Sequence, residues 1–545
     1  MTASSRHTRE MRRLAREEFG FAALRPEQEQ VIHAVLDHRD TLAVMPTGAG
    51  KSATYQLAAL LEDGPAVVIS PLIALQRDQA TSLEATEAAQ VAMINSALTV
   101  AERRDALEQV ANREVNLLFM APEQFHDDAV LDRVRSARPS LFVVDEAHCI
   151  SEWGDDFRPD YLRLGAVIEA LGHPTVLALT ATASPRVRQE IVDRLGMHAP
   201  LILVTGFDRP NIWLGVEQHH DPDVKQRALL ERVAGAQKPG IVYVATHRHA
   251  EEIAAAIQAA GTSAIAYHAG LKKAERAAAE AAFLGDEVDV IVATSAFGMG
   301  IDKPDVRFVF HADIPESIDA YYQEVGRAGR DSEPAEARLY YRPEDLNLHR
   351  FFAGTGQVDE EDITRVTQAL RKQDAPAEPA ELKEVTGLSG AKITAALSRL
   401  EDLGAVEVLP GGEVVASEVR PLDAVTAEAA ALDRQRHEVA RSRIEMMRGY
   451  AELLDCRRGY LLNYFGEPFE PPCGNCDRCD AGMVSERPDE TPFPIGSRVA
   501  HDQFGTGVVQ RYDADSMIVL FDDAGYRTLL TDFVIETGAL VPAKS

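Results

Sequence analysis

The chain has 545 residues, 46% of them hydrophobic, which is enough for several domains that each bury a core. A net charge of −30 and a pI near 5.0 exclude a polyanionic partner gripped by overall charge, so any nucleic-acid contact must rest on local basic grooves. No run of about eighteen apolar residues could span a membrane. The arginine-rich start (Arg6, Arg9, Arg12, Arg13, Arg16) lacks the apolar stretch of a signal peptide, so a cytoplasmic protein without a membrane partner is expected.

In chain order, the apolar run TLAVM leads into MPTGAGKS at Met45–Ser52. Strand, Gly-rich loop and helix in that order make a phosphate cradle: Gly48 and Gly50 allow the tight turn, and the helix N-terminus adds a favourable dipole. Thr47, Gly48, Gly50 and Lys51 are placed on ATP phosphates, with Lys51 on the β/γ pair and Ser52 on Mg²⁺. The loop departs from the eight-residue Walker pattern in beginning with Met45 instead of Gly. The runs AVVIS, NLLFM, LFVVDE, TVLALT, GIVYVAT and VIVATS then alternate with amphipathic stretches, and continuous apolar runs suit parallel strands covered on both faces. Two doubly wound α/β lobes, 1–205 and 206–350, are expected, with ATP in the cleft between them.

LFVVDE brings Asp145 and Glu146 to the top of the first sheet, where an ATPase needs a Mg²⁺ ligand and a base for the attacking water. The segment continues through Trp153, Phe157 and Arg158, residue types that stack on and clamp unpaired bases. DEAH alone could be a fortuitous acidic strand end. The whole stretch Val143–Tyr161 points to ATP hydrolysis converted into movement along nucleic acid. In the second lobe, residues 291–306 and YYQEVGRAGRD (321–331) carry further Gly and Arg. The three-residue spacing of Arg327 and Arg330 predicts one helix face, from which both could neutralise charge developing on the γ-phosphate.

Beyond residue 350 the pattern changes. Residues 351–425 read as a winged-helix-like segment, with PAELKEVTG, AKITAALSRLEDLG and a strand pair AVEVL/EVVAS. It carries few basic residues, which leaves DNA contact and a spacer or docking role both open. In 430–460 seven Arg stand against five Asp or Glu on a helical pattern, a candidate basic groove. Of five cysteines, Cys456, Cys473, Cys476 and Cys479 form C-x16-C-x2-C-x2-C, spacing that suits a closed tetrahedral Zn²⁺ site in 426–485. Two disulfides are the competing reading. Cys149 is expected to be a packed thiol. A polar linker then leads, within 486–545, to short alternating strands with Gly turns, a small all-β module.

These motifs resemble the RecQ family of superfamily 2 DNA helicases over roughly residues 15–350 and 430–480. The resemblance implies two RecA-like lobes and a zinc-bound helical hairpin whose first ligand precedes LLNYFGE (461–467). It implies adenine recognition by FGFAALRPEQ (19–28), with Phe21 stacking and Arg25 and Gln28 binding the base. It further implies nucleic-acid or coupling contacts from SPLIALQRDQ, MAPEQF, LTATAS and YHAGL, and an aromatic loop from Cys149 to Tyr161 that senses single strands. By that resemblance Glu146 is the general base, and Gln323, Arg327 and Arg330 complete the site from the second lobe. The expected activity is ATP- and Mg²⁺-dependent 3′–5′ unwinding of forked DNA from a single strand, in repair and recombination at the nucleoid. The winged-helix-like segment departs from the family order by preceding the cysteines. The tail resembles the SH3- or Tudor-like module of UvrD/PcrA-type helicases through Val499, His501, Phe504, Gly505, Gly507 and Val508. That resemblance implies a protein partner, RNA polymerase first, with Phe504 as aromatic anchor.

Overall fold

The six apolar runs all form strands, and the strand residues within each are buried throughout, as parallel pairing under two helical layers requires. The computed structural model describes residues 3–543 apart from 72, 85–88, 96–97, 152–157, 299–302, 355, 374, 410–412, 418–419, 484–490, 513–515 and 523. In the first lobe lie β1 (Thr41–Val44), β2 (Ala66–Ile69), β3 (Val91–Ile94), β4 (Leu117–Met120), β5 (Leu141–Val144), β6 (Thr175–Thr180) and β7 (Leu201–Val204). They form one parallel sheet in the order β3-β4-β2-β5-β6-β1-β7. The second lobe holds β8 (Ile212–Gln218), β9 (Gly240–Tyr243), β10 (Ala264–Tyr267), β11 (Val290–Ala293), β12 (Phe308–His311) and β13 (Ala335–Tyr341), parallel in the order β10-β11-β9-β12-β13-β8. In the first sheet β6 lies between β5 and β1. The DEAH, TAT and Gly-rich segments therefore leave the carboxyl ends of three adjacent strands, where ligands of open α/β sheets bind.

The winged-helix-like segment consists of helices Glu360–Leu370, Pro379–Thr386 and Gly390–Asp402 and the hairpin β14 (Val406–Val408) and β15 (Val414–Ala416). Its core, with Ile363, Leu382, Ile393 and Leu400, is separate from the lobes but takes in Ala429 and Ala430 of the long helix Thr426–Ala451. Buried Asp433 fixes that junction, accepting from Val358 N at 3.0 Å and pairing with Arg399 at 3.2 Å. Further along, Met446, Met447 and Tyr450 join the core shared by the lobes and the cysteine hairpin. One helix thus serves both units, and the boundary expected at 425/426 falls at its first turn.

The tail forms β16 (Arg498–His501), β17 (Gly505–Tyr512), β18 (Ser516–Phe521), β19 (Gly525–Leu530) and β20 (Leu540–Pro542), antiparallel in the order β19-β18-β17-β16-β20. A helix at Thr531–Thr537, absent from the sequence reading, covers one side. All six residues of β18 are buried, on two different cores. Met517, Val519 and Phe521 face the module's own interior, and Ile518 and Leu520 face the core that contains Tyr460 and Tyr464 of the hairpin. The tail is therefore docked on the motor. The expected aromatic anchor Phe504 is half-buried within the module, its ring 5.3 Å from Phe521 and stacked on His501 at 4.6 Å.

Candidate active site and metal centre

Glycine sets the shape of the phosphate loop. Gly48 and Gly50 adopt φ of +80° and +74°, a region costly for residues with a β-carbon. Gln28 holds the loop from behind: its Oε1 accepts from Arg25 N at 2.9 Å, and its Nε2 donates to the carbonyls of Ala49 and Gly50, both at 3.1 Å. Arg25 is the N-cap of the helix Pro26–Leu36, and half-exposed Phe21 stacks on Phe19 at 6.0 Å. Thr47 lies in the loop between β1 and the helix Lys51–Leu61. Lys51 Nζ donates to Met45 O at 3.1 Å, and Ser52 Oγ accepts from Gln79 Nε2 at 3.1 Å. Burial pushes the Lys51 ammonium down from its ordinary range, against the opposing pull of Glu146 and Asp145. Burial and the neighbouring Glu146 raise the Asp145 carboxyl to about 7, while Lys51 resists that rise.

His148, which the sequence reading did not single out, ties the acidic motif to the second lobe. Its Nδ1 lies 2.9 Å from Thr180 Oγ1 and 3.3 Å from Glu146 Oε2. Thr180 spends its own hydroxyl proton on Thr182 O at 2.9 Å, so His148 Nδ1 must be the donor. That leaves Nε2 to accept, and Gln323 Nε2 approaches it at 3.4 Å while donating to Thr182 Oγ1 at 3.1 Å. The signal was present in the fourth letter of DEAH and the threonines of LTATAS, but only the fold pairs them.

Arg330 crosses the same cleft. A β-carbon placed on Gly48 would lie 3.8 Å from Arg330 Cδ. Arg327 is buried beside Tyr243 and Gly298. The two do not share a helix face as their spacing predicted. The helix Ile318–Val325 ends before them, and residues 326–331 form turns. Past Val325 the bonds tighten, with Arg327 N donating to Glu324 O and Ala328 N to Val325 O, and Gly329 N turns away to Val306 O. Arg209 caps the resulting turns at the carbonyls of Gly326 at 2.9 Å, Ala328 at 2.7 Å and Gly329 at 3.0 Å. Gly329 completes the turn at φ +54°.

Of the expected strand-sensing loop, Trp153 and Phe157 lie outside the described residues. Arg158 donates to Pro71 O at 2.9 Å, which fastens the loop's end to the segment after β2. Four arginines of the basic stripe over 430–460 are engaged by carboxylates. Arg436 pairs with Asp402 at 2.9 Å, Arg448 with Glu445 and Glu452, Arg457 with Asp477 at 2.9 Å and Arg458 with Asp208 at 3.2 Å. Arg457 and Arg458 are buried, so neither can line a DNA groove. Cys149 is a buried, packed thiol as expected.

The four remaining cysteines converge. Their Sγ atoms all lie within 4.8 Å of one another, and Cys473 and Cys479 are 3.7 Å apart. A tetrahedron of Zn–S bonds near 2.3 Å has edges of about 3.8 Å, so this donor set fits Zn²⁺ and no disulfide is formed. Cys456 and Cys476 each cap a short helix, accepting from Gly459 N and Cys479 N. The hairpin is fixed to the edge of the second sheet: Val216 N donates to Asp477 Oδ2 at 3.1 Å, Trp213 Nε1 to Asp480 Oδ2 at 2.8 Å and Asn475 Nδ2 to Pro210 O at 2.9 Å.

Three family models match: DEAD/DEAH box helicase over 25–191, helicase conserved C-terminal domain over 225–332, and RecQ zinc-binding over 420–480. A probable ATP-dependent DNA helicase RecS from Bacillus subtilis is 36% identical over 505 residues, covering 90% of this chain and 97% of that protein. The chain belongs to the RecQ family. An ATP-dependent DNA helicase RecQ from Pasteurella multocida is 35% identical over 88% of this chain, and the match covers 65% of that RecQ protein. ATP-dependent DNA helicase Q5 from Rattus norvegicus is 41% identical over 63% of this chain and 37% of its own length. This RecQ-family chain is thus an ATP-dependent DNA helicase enzyme, with ATP, Mg²⁺ and a structural Zn²⁺ as cofactors. Among the described residues, no helix is long and apolar enough to cross a membrane.

Proposed function

We propose that this RecQ-family enzyme moves 3′ to 5′ along single-stranded DNA and unwinds forked duplexes, serving repair and recombination at the nucleoid of the cytoplasm. In this reading Lys51 and the Gly-rich loop hold the ATP phosphates, and Ser52 and Asp145 hold Mg²⁺. Glu146 takes the proton of the attacking water, and Arg327 and Arg330 neutralise charge developing on the γ-phosphoryl group as ADP leaves. Phe21, Arg25 and Gln28 address the adenine, and Trp153, Phe157 and Arg158 address the single strand. The observation that carries the reading is the bridge from Gln323 to Thr182 and His148. A nucleotide that reorders the acidic motif must move the second lobe, which is what a translocase needs from hydrolysis. The test is unwinding of forked duplexes that carry either a 3′ or a 5′ single-stranded tail. Strand separation confined to the 3′-tailed substrate supports the reading, and hydrolysis with neither separated overturns it.

A second reading, an ATPase that remodels a protein–DNA or transcription complex without processive unwinding, draws on the tail. Leu530, Phe533 and Ile535 stand exposed at 60%, 58% and 57% on β19 and the tail helix. They suit a protein partner, RNA polymerase first, better than a DNA backbone. Release of a stalled polymerase from DNA by an enzyme that fails to unwind would favour this alternative.

A further inference from the structure

Arg327 and Arg330 stand on turns, and the side chains that shape those turns come from the connection between the lobes. The chain crosses from the first lobe to the second between β7, which ends at Val204, and β8, which starts at Ile212. Arg209 and Asn211 lie in that crossing. Arg209 Nη1 donates to Gly326 O, and its Nη2 to Ala328 O and Gly329 O. Asn211 Nδ2 donates to Gly329 O at 2.8 Å and to Glu333 O at 2.9 Å. These two side chains thus fix the backbone on both sides of Arg327 and Arg330. The fit is close, since a β-carbon on Gly329 would lie 2.4 Å from Asn211 Nδ2. A guanidinium is a rigid planar fork that serves several carbonyls at fixed angles, whereas a lysine ammonium is a point charge without that geometry.

The zinc hairpin grips the same crossing by its main chain. Buried Arg458 donates through Nη2 to Arg209 O at 3.1 Å and Ile212 O at 2.6 Å, and its Nε pairs with Asp208 at 3.2 Å. Asn475 Nδ2 donates to Pro210 O at 2.9 Å, and Phe465 stacks on Phe207 at 4.5 Å. Tyr322, in the helix that leads into the turns, donates its hydroxyl to Phe207 O at 2.6 Å. The crossing is therefore held by the hairpin while its own side chains hold the turns. Arg330 is the residue that approaches the phosphate loop at Gly48, whereas Arg209 and Asn211 spend these donors on main-chain carbonyls.

We propose that Arg209 and Asn211 are positioning residues for Arg327 and Arg330, held in register by Arg458 of the zinc hairpin. The inference rests on the reading of Arg327 and Arg330 as the groups that meet γ-phosphoryl charge. Because Arg209 and Asn211 belong to the connection between the lobes, a change in lobe separation reaches the turns directly. A misplacement of about 1 Å is worth roughly 10²-fold in rate, against roughly 10³–10⁵-fold for losing a charge-stabilising arginine outright.

The test compares Arg209→Ala, Arg209→Lys and Asn211→Ala with a variant carrying both Arg327→Ala and Arg330→Ala, all full-length and zinc-loaded. Arg209→Ala should lower DNA-stimulated kcat by about 10–100-fold and weaken binding of the transition-state mimic MgADP–aluminium fluoride by a similar factor, with MgADP affinity kept within about two-fold. Arg209→Lys should recover only part of the loss. In the nucleotide-free enzyme, amide exchange should rise across 326–331 and stay unchanged in β9 to β11. Added to the double variant, Arg209→Ala should cost less than about two-fold more, because the residues it positions are gone. Should Arg209→Ala fail to fold, Arg209→Lys and Asn211→Ala carry the same comparison. Wild-type turnover by folded Arg209→Ala beside an inactive double variant, or equal losses of MgADP and mimic affinity, would overturn the positioning role and leave the arginine assignment standing. Full turnover by the double variant would remove that assignment and the inference with it.

Discussion

Gln323 of the second lobe donates its side-chain amide to Thr182 Oγ1 of the first at 3.1 Å and reaches His148 of the acidic motif with the same nitrogen. Two hydrogen bonds at about 1 kcal/mol each, or somewhat more beside a buried imidazole, amount to roughly 5–100-fold in rate if they form only in the closed state. Gln323→Ala should therefore lower DNA-stimulated ATP turnover by that factor. Binding of a fluorescent nucleotide should change little, because both bonds join the second lobe to the first. Equal losses in affinity and turnover would show instead that the side chain belongs to the nucleotide pocket.

Glu146 takes the left-handed conformation at φ +49°, and its carboxylate faces His148 Nδ1. As the proposed base it should be dispensable for binding and required for chemistry. Glu146→Gln is expected to retain nucleotide while losing about 10²–10⁴-fold in turnover. Lys51→Ala should instead weaken nucleotide binding itself. Wild-type turnover by Glu146→Gln with single-stranded DNA present would remove the assignment.

Much of this was legible in the sequence because it is local. The Gly-rich loop, the acidic strand end and the cysteine spacing each lie within a few consecutive residues, and the apolar runs announce buried parallel strands. What was missed lies between distant segments. The spacing of Arg327 and Arg330 suggested a helix, but Gly329 N bonds to Val306 O of a distant segment, and Arg209, more than a hundred residues earlier, caps the resulting turns. The arginines of 430–460 looked like a groove because their acidic partners Asp402, Asp477 and Asp208 are far from most of them in sequence. The alternation expected of the tail hid the fact that β18 is apolar on both faces.

Asp313 in the second lobe supplies a pH-dependent contribution to stability. Burial alone would raise its carboxyl, but the His249 hydrogen bond at 2.6 Å and the Lys225 charge outweigh burial and hold it at about 2. A folded value below the unfolded one, near 3.8, means stability that is present above about pH 4 and lost as pH falls toward 2. The difference corresponds to about 2 kcal/mol. Asp313→Asn should lower the stability of this lobe by about that amount at about pH 5–6, where His249 is charged, and flatten its acid-unfolding profile between about pH 4 and 2. An unchanged profile in denaturant titrations at both ends of this range would rule the contribution out.

Zinc removal should act beyond the cysteines. The hairpin reaches the second sheet through Asp477 and Asp480, and Asp477 also neutralises buried Arg457. Cys476→Ser should reduce zinc from one equivalent at this site and leave that arginine without its partner geometry, since folding of thiolate sites is linked to metal binding. Limited proteolysis should then cut within 426–485 while the nucleotide-binding lobe stays intact. Elemental analysis finding no zinc in reduced, active wild-type protein would exclude the site.

The tail does not hang free behind its polar linker but packs on the motor. Tyr526 stacks on Tyr464 at 5.7 Å, Arg511 lies 3.8 Å over the Tyr460 ring, and Asp522 pairs with Arg186 of the first lobe at 3.1 Å. Removing residues after about 486 would uncover Tyr460 and Tyr464, two aromatic side chains of the zinc hairpin that are now buried. The truncated enzyme should therefore melt earlier and aggregate more readily. A point substitution separates docking from folding: Ile518 faces the motor, whereas its neighbours Met517 and Val519 fill the module's own core. Ile518→Asp places an unpaired charge in that interface, at a cost of several kcal/mol if the interface stays closed. It should release the module as a folded unit, visible as new protease cleavage in the linker and greater exchange of hairpin amides. Unwinding should fall together with the stability of the hairpin. If the truncated protein melts and unwinds like the full chain, the tail rests on the motor without supporting it, and a purely recruiting role is restored.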